Sequence, residues 1–169
     1  MKYTKKTAFE AADAFGIGAP NDTYAQYFIG QSFLKPLTEP EKAPVFLANV
    51  TFEPRCRNNW HIHHATKGGG QILICTAGEG WYQEEGKPAV SLKAGTVITI
   101  PAEVKHWHGA KKDSWFSHIA VECPGENCSN EWCEPVSDAE YEKLENTESR
   151  KHCIKLVRKM RRQIFRQIT

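Results

Sequence analysis

A succession of short β-prone runs, each closed by glycine or proline, constrains this chain more than any other feature. Residues 27–34, 45–52, 71–76, 80–83, 90–94, 95–100 and 114–122 are rich in aromatic and β-branched side chains. Pro36 to Pro44, Pro54, Gly68-Gly69-Gly70 and Pro101 punctuate them. Many short strands at regular spacing specify an all-β sandwich or barrel. At 169 residues the chain has the length of one domain. A chain of that size buries roughly 70% of its unfolded surface, so its core needs no disulfides.

Two hairpins are expected. The runs 71–76 and 80–83 flank Ala77-Gly78-Glu79-Gly80, which reads as a turn. The runs 105–109 and 114–122 flank a polar turn at Lys111-Lys112-Asp113, which would lay His118 across from His106 and His108. The ends of the chain differ from this β region. Residues 7–15 suit a short helix, stopped by the glycines and proline of 16–22, so 1–26 reads as an N-terminal arm. Ser137-Asp138-Ala139-Glu140 is a capping box that starts a helix carrying Tyr141 and Leu144 on one side. The organisation is therefore an arm at 1–26, a barrel at 27–136 and a C-terminal helical segment at 137–169.

Into the β pattern is set the stretch from Asn58 to Gln71, NNWHIHHATKGGGQ. Side chains at i and i+2 of a strand share a face, so His61 and His63 can reach one ion together while His64 faces away. Gln71 opens the next strand. His106 comes from the distant run Lys105-His106-Trp107-His108-Gly109. Three neutral imidazoles and one amide oxygen suit a divalent transition ion (Mn, Fe, Ni or Zn) better than Ca or Mg. The spacing is not that of a zinc finger, so the set needs a fold that carries 61–71 to 106. Gly68-Gly69-Gly70 is followed by neither Lys-Ser/Thr nor a helix, which excludes a P-loop. It reads as a tight turn beside the site.

The formal net charge of +2 is unevenly spread. Residues 150–169 hold eight Lys/Arg and no acid, while the preceding 149 hold 14 basic and 20 acidic side chains. The tail reads as a basic amphipathic helix with Cys153, Leu156, Val157, Met160, Ile164 and Ile168 as its apolar stripe. It is expected to pack on the barrel or on a partner subunit, with an anionic membrane surface as the alternative. A charge run of this kind does not by itself point to nucleic acid. No run approaches about 18 apolar residues, and the N-terminus lacks the apolar core of a signal peptide. The expectation is a cytoplasmic protein with no membrane span and no nucleic-acid partner, its six cysteines reduced. Cys123, Cys128 and Cys133 do not have zinc-ligand spacing.

With these residues in place the chain resembles the cupins, small jelly-roll barrels (double-stranded β-helices) that hold a metal inside. The first cupin motif, G-x5-HxH-x3,4-E-x6-G, is matched by His61 and His63, with Gln71 where the acid stands, seven residues before Gly78. The second, G-x5-PxG-x2-H-x3-N, is matched by Gly95, Pro101 and His106. Arg55 replaces the first glycine, Glu103 the glycine after proline and Ala110 the asparagine, and the loop from His63 to Gln71 is longer than the pattern. The resemblance covers residues 27–144. Gln for Glu, KHWHGA at 105–110 and SHIAVE at 117–122 are similar to a narrower group, the small bacterial cupins that include manganese-dependent hydroxynitrile lyases.

The resemblance implies a jelly-roll barrel with short C-terminal helices. It implies metal ligands at His61, His63, Gln71 and His106, with manganese first and iron, nickel or zinc as alternatives. The matching pocket positions are Ala48, Val50, His108, His118 and Glu122. The expected activity is a lyase that polarises a hydroxyl or carbonyl of a small molecule, in a homodimer or homotetramer. The alternatives are a dioxygenase or isomerase on the same site, or non-catalytic binding of a metal or small ligand. His118 is expected to move a proton beside the metal. His108 either shares that role or supplies a stabilising hydrogen bond. A neutral Gln leaves the full +2 charge on the site, where a carboxylate would cut it to +1. That favours polarising chemistry over dioxygen activation. Trp60, Trp81, Trp107 and Trp115 are expected to be barrel packing.

Overall fold

The chain alternates polar and apolar side chains over segments too short for helices, and it folds almost wholly into antiparallel strands. The computed structural model describes residues 1–39 and 41–146. Two units divide the chain, Met1–Val136 and Ser137–Thr169. The first holds a helix α1 (Lys6–Glu10), a 3-10 turn (Asp22–Tyr27) and the strands. These are β1 (Ala19–Pro20), β2 (Phe28–Ile29), β3 (Ser32–Pro36), β4 (Phe46–Phe52), β5 (Arg57–Asn58), β6 (His61–His64) and β7 (Lys67–Gly68), followed by β8 (Gln71–Glu84), β9 (Val90–Lys93), β10 (Val97–Ile100), β11 (His106–Ala110), β12 (Phe116–Glu122), β13 (Gly125–Glu126) and β14 (Ser129–Trp132). The main path runs β1-β3-β4-β12-β8-β11-β5-β2, with β9 and β10 also on β8 and β6 between β11 and β14. An all-β jelly-roll barrel is what the sequence pattern leads one to expect.

The hairpin expected at 77–80 does not form. Residues 71–84 are one strand, β8, which bends and serves both halves of the barrel. Its first half pairs with β10 and β12, and its second half with β9 and β11. Register against β12 slips between Ser117 and His118, leaving Thr76 as the extra residue of a bulge. Leu73 and Cys75 before the bulge, and Tyr82 after it, all reach the same core. Ala77 instead joins the outer cluster of Phe9, Ile17, Phe33 and Trp115. Gly78, at φ 75, sits where a Cβ would collide with the Trp115 carbonyl. The glycines here permit close strand approach rather than chain reversal.

The second expected hairpin is also corrected. β11 and β12 follow one another along the same side of β8, β11 against residues 80–84 and β12 against residues 71–78, and are not paired with each other. His118 therefore meets His108 across the barrel interior, not along a ladder. The run 27–34 is broken at Gly30 (φ 87) into β2 and β3. The helix expected over 7–15 is only α1, followed by a turn. β13 and β14 lie in polar sequence that carried no strand signal.

Val50, Phe52, Leu73, Tyr82, Leu92, Ile100 and Phe116 form the main core. Trp60, Trp81, Trp107 and Trp115 are all buried, as expected of packing residues. Cys56 and Cys75 are buried free thiols, and burial pushes Cys75 up to about 12, so both behave as small apolar residues. In the second unit, Ser137 Oγ accepts from the Glu140 backbone N–H at 3.2 Å, and Glu140 Oε2 accepts from the Ser137 N–H at 3.0 Å. This capping box opens a helix over 138–146. The expectation for the tail at 150–169 lies outside the described residues. Among the described residues no helix is long and apolar enough to cross a membrane.

Candidate metal centre and cavity

The alternation of β6 carries His61 and His63 into the interior and leaves Ile62 and His64 half-buried. His106, the first residue of β11, is the register partner of His61. These three imidazoles are buried, and one nitrogen from each lies within 4.8 Å of the others. The glycine run makes the approach of Gln71 possible. Gly68, Gly69 and Gly70 all have positive φ, and a Cβ on Gly70 would strike the backbone of Ile100 and Ala102. Gln71 thus opens β8 beside the cluster, buried and opposite Glu122 of β12.

The polar atoms of these side chains divide into held and free. His61 Nδ1 meets the Asn59 carbonyl at 3.0 Å, and His106 Nδ1 meets the Val104 carbonyl at 2.8 Å. Each backbone oxygen fixes a proton on Nδ1 and leaves Nε2 with its lone pair. Gln71 Nε2 donates to Glu122 Oε1 at 2.7 Å, leaving Gln71 Oε1 as the free acceptor. His63 Nδ1 lies 3.2 Å from Glu122 Oε2. Gln71 Oε1, both ring nitrogens of His63 and His106 Nε2 are buried and have no hydrogen-bond partner. The His63 Nδ1–Glu122 Oε2 approach is close enough for an ion pair but poorly aligned for a hydrogen bond. Buried polar atoms without partners are costly, and a divalent cation with borderline-soft preferences fits this donor set.

Electrostatics agree with that fit. Burial, reinforced by the neighbouring His106 and His63, pulls His61 well below the usual histidine range. Burial takes His106 down to about 4. Neutral imidazoles are what ligation requires. Burial pushes the Glu122 carboxyl up, but the neighbouring His63 and the bond from Gln71 outweigh it and hold the group below its ordinary value.

A cavity of about 340 Å³ opens at this cluster. Phe28, Leu34, Ala48, Val50 and Ala120 supply apolar wall, and His108, His118 and Glu122 line it as well. Strand pairing places them, since His118 is opposite Val50 and Ala120 opposite Ala48 on β4. His118 is fully buried, and its Nε2 lies 3.2 Å from His108 Nδ1. Burial lowers His118 to about 4, and burial together with the neighbouring His118 holds His108 well below the usual histidine range. Sequence reasoning missed Asn58. Its Oδ1 accepts from the His108 backbone N–H at 2.9 Å, and its Nδ2 lies 3.0 Å from His108 Nε2. It also missed Trp132, whose ring stacks on Tyr27 and sits 4.9 Å from the His61 ring at the cavity. Its only sequence signal is an aromatic residue in a polar stretch.

A jelly-roll barrel with imidazoles gathered in its interior is the cupin arrangement, and the chain belongs to the cupin family. It is 38% identical over 118 residues to the (R)-mandelonitrile lyase of Granulicella tundricola, covering 69% of this chain and 87% of that one. It is also similar to a solved cupin-like protein from Thermotoga maritima, at 39% identity and a TM-score of 0.68, covering 78% of this chain and 96% of that one. A cupin 2 conserved barrel protein from Rhodopseudomonas palustris shares the fold at 16% identity and a TM-score of 0.56, with 78% and 86% covered. No known family profile matches the chain. The chain is thus similar to cupins of the hydroxynitrile lyase type.

Proposed function

We propose that this cupin is a metal-dependent lyase of the hydroxynitrile lyase type, acting on a small hydroxylated or carbonyl compound. The observation that carries the reading is the set of partnerless donor atoms beside a walled cavity that also holds a separate buried imidazole, His118. The identity to a mandelonitrile lyase supports it. His61, His63, Gln71 and His106 would hold one divalent transition ion, manganese first. When bound, such an ion supplies Lewis-acid polarisation of a substrate oxygen.

The chain's own residues do the rest. The apolar walls exclude water and orient the hydrocarbon part of the substrate. Asn58 Oδ1 is committed to the His108 backbone, so its Nδ2 donates to His108 Nε2. His108 then carries its proton on Nδ1 and donates to His118 Nε2. His118 is neutral at pH 7. In the substrate complex the hydroxyl would take the place of His108 Nδ1–H at His118 Nε2, the one basic nitrogen of that ring. That nitrogen takes the hydroxyl proton as the carbon–carbon bond of a cyanohydrin breaks to leave the carbonyl product, and returns it to the departing cyanide as hydrogen cyanide. Addition of hydrogen cyanide to an aldehyde is the reverse.

Mandelonitrile cleavage by the manganese-loaded protein, read as benzaldehyde released, tests the proposal. Turnover well above that of free Mn(II) is expected. His118→Ala should keep the metal and lose roughly 10²–10⁴-fold in rate. A wild type inert on every cyanohydrin would remove the lyase reading.

A further inference from the structure

Ligands of a metal centre need their second polar atom held as well, because that atom sets tautomer and orientation. Two of the four candidate ligands meet this need with backbone. His61 uses the Asn59 carbonyl and His106 the Val104 carbonyl. Gln71 and His63 have no such backbone oxygen, and both turn to one side chain. Glu122 Oε1 accepts from Gln71 Nε2 at 2.7 Å, and Glu122 Oε2 stands 3.2 Å from His63 Nδ1. Glu122 and Gln71 are register partners on β12 and β8, so the carboxylate is placed by a strand ladder and not by a loop.

We infer that Glu122 is a positioning residue of the metal centre, holding two ligands at once. One oxygen turns the Gln71 amide so that Oε1 is its free acceptor. The other keeps the His63 proton on Nδ1, so that Nε2 keeps its lone pair. An amide can present either end, and only an acceptor beside Nε2 specifies which. The inference rests on the metal reading above and adds a charge argument to it. Gln71 stands where the family pattern has a ligating acid, so that negative charge is missing from the ion's own ligands. Glu122 returns it one bond further out. An ion held there would have a neutral oxygen ligand, with the nearby carboxylate offsetting part of its charge.

Glu122→Gln separates positioning from shape. The substituted side chain keeps one acceptor for Gln71 but presents an amide donor to His63. His63 must then move its proton to Nε2 and give up its lone pair there. The measurement is Mn(II) affinity, from the free-ion EPR signal in a titration, beside the visible spectrum of the Co(II)-loaded protein. Glu122→Gln is expected to weaken Mn(II) binding roughly 10–100-fold and to change the Co(II) spectrum. Glu122→Asp, which keeps the charge, should recover part of the affinity, and the metal-free variants should melt close to the metal-free wild type. Wild-type affinity and an unchanged Co(II) spectrum in Glu122→Gln would overturn the inference while leaving the metal centre standing. A wild type that binds neither ion would defeat the metal reading itself, and this inference with it.

Discussion

Position 103 shows how a single residue can depart from a family pattern without changing the backbone. The second cupin motif has glycine there, and this chain has Glu103 at φ 67. Arg55, at the first motif's opening glycine, has φ 74. Both keep the left-handed conformation, which costs a residue with a Cβ roughly 1–2 kcal/mol. Glu103 offsets that cost with its side chain. Oε1 accepts from the Ala65 N–H at 3.0 Å, Oε2 lies 2.6 Å from His64 Nδ1, and the Glu103 N–H donates to the His63 carbonyl at 2.9 Å. The long loop after His63 is thereby tied to the turn before His106. The two departures were legible in the sequence, but the retained geometry was not, because side-chain identity does not report φ. Glu103→Ala should lose the carboxylate and keep the strain, while Glu103→Gly should lose the carboxylate and the strain together. The glycine variant should be the more stable of the two by about 1 kcal/mol in urea unfolding. An alanine variant of equal or greater stability would show that position 103 is not strained.

Among the elements, β8 decides the architecture, and it is where sequence reasoning fell short. Period-two alternation made its two halves recognisable as strands. Ala77-Gly78-Glu79-Gly80 read as a turn because glycine serves reversal and close approach equally well. What distinguishes the two is Trp115 and Phe116, which lie far along the chain and crowd Gly78 and Gly80. β13 and β14 were not legible for a different reason. They are short, polar and mostly exposed edge strands, with no buried face to impose a pattern. Gly78→Ala would place a Cβ against backbone that cannot move without shifting β12, whereas Gly86, at φ 72, has open space around it. Both variants carry the cost of a positive φ, and only the first adds a collision. Gly78→Ala should therefore be the less stable by at least about 1 kcal/mol. Equal losses in chemical denaturation would mean that β8 can bend without a glycine at 78.

In the whole molecule, the barrel forces imidazoles out of water, and its stability should depend on pH accordingly. His106 and His118 are held down to about 4 by burial, and His61 and His108 lie well below their ordinary value. In the unfolded chain each histidine takes up a proton near pH 6.5. Between about 4 and 6.5 the unfolded state therefore binds more protons, so stability is full above that window and is lost as pH falls through it. His106 and His118 each account for on the order of 3 kcal/mol of that loss. The chelator-treated protein should show a denaturation midpoint that drops between pH 7 and pH 5, and a flat midpoint would contradict this. The gathering of His61, His63 and His106 was legible from sequence, the first two through strand period and the third through motif spacing. Glu122 was expected in the pocket but not beside Gln71 and His63, and Asn58 was not expected at all. Their placement depends on the β8–β12 register, set by the bulge at Thr76, and on the pairing of β5 with β11. The central claim is that His61, His63, Gln71 and His106 form one metal centre. It is tested most directly by the transition-metal content of freshly purified protein, measured by inductively coupled plasma mass spectrometry. The account expects one ion per chain in the wild type and in His64→Ala, and almost none in His61→Ala or His106→Ala. A wild type that carries no transition metal even after loading, or equal content in His61→Ala and His64→Ala, would contradict it.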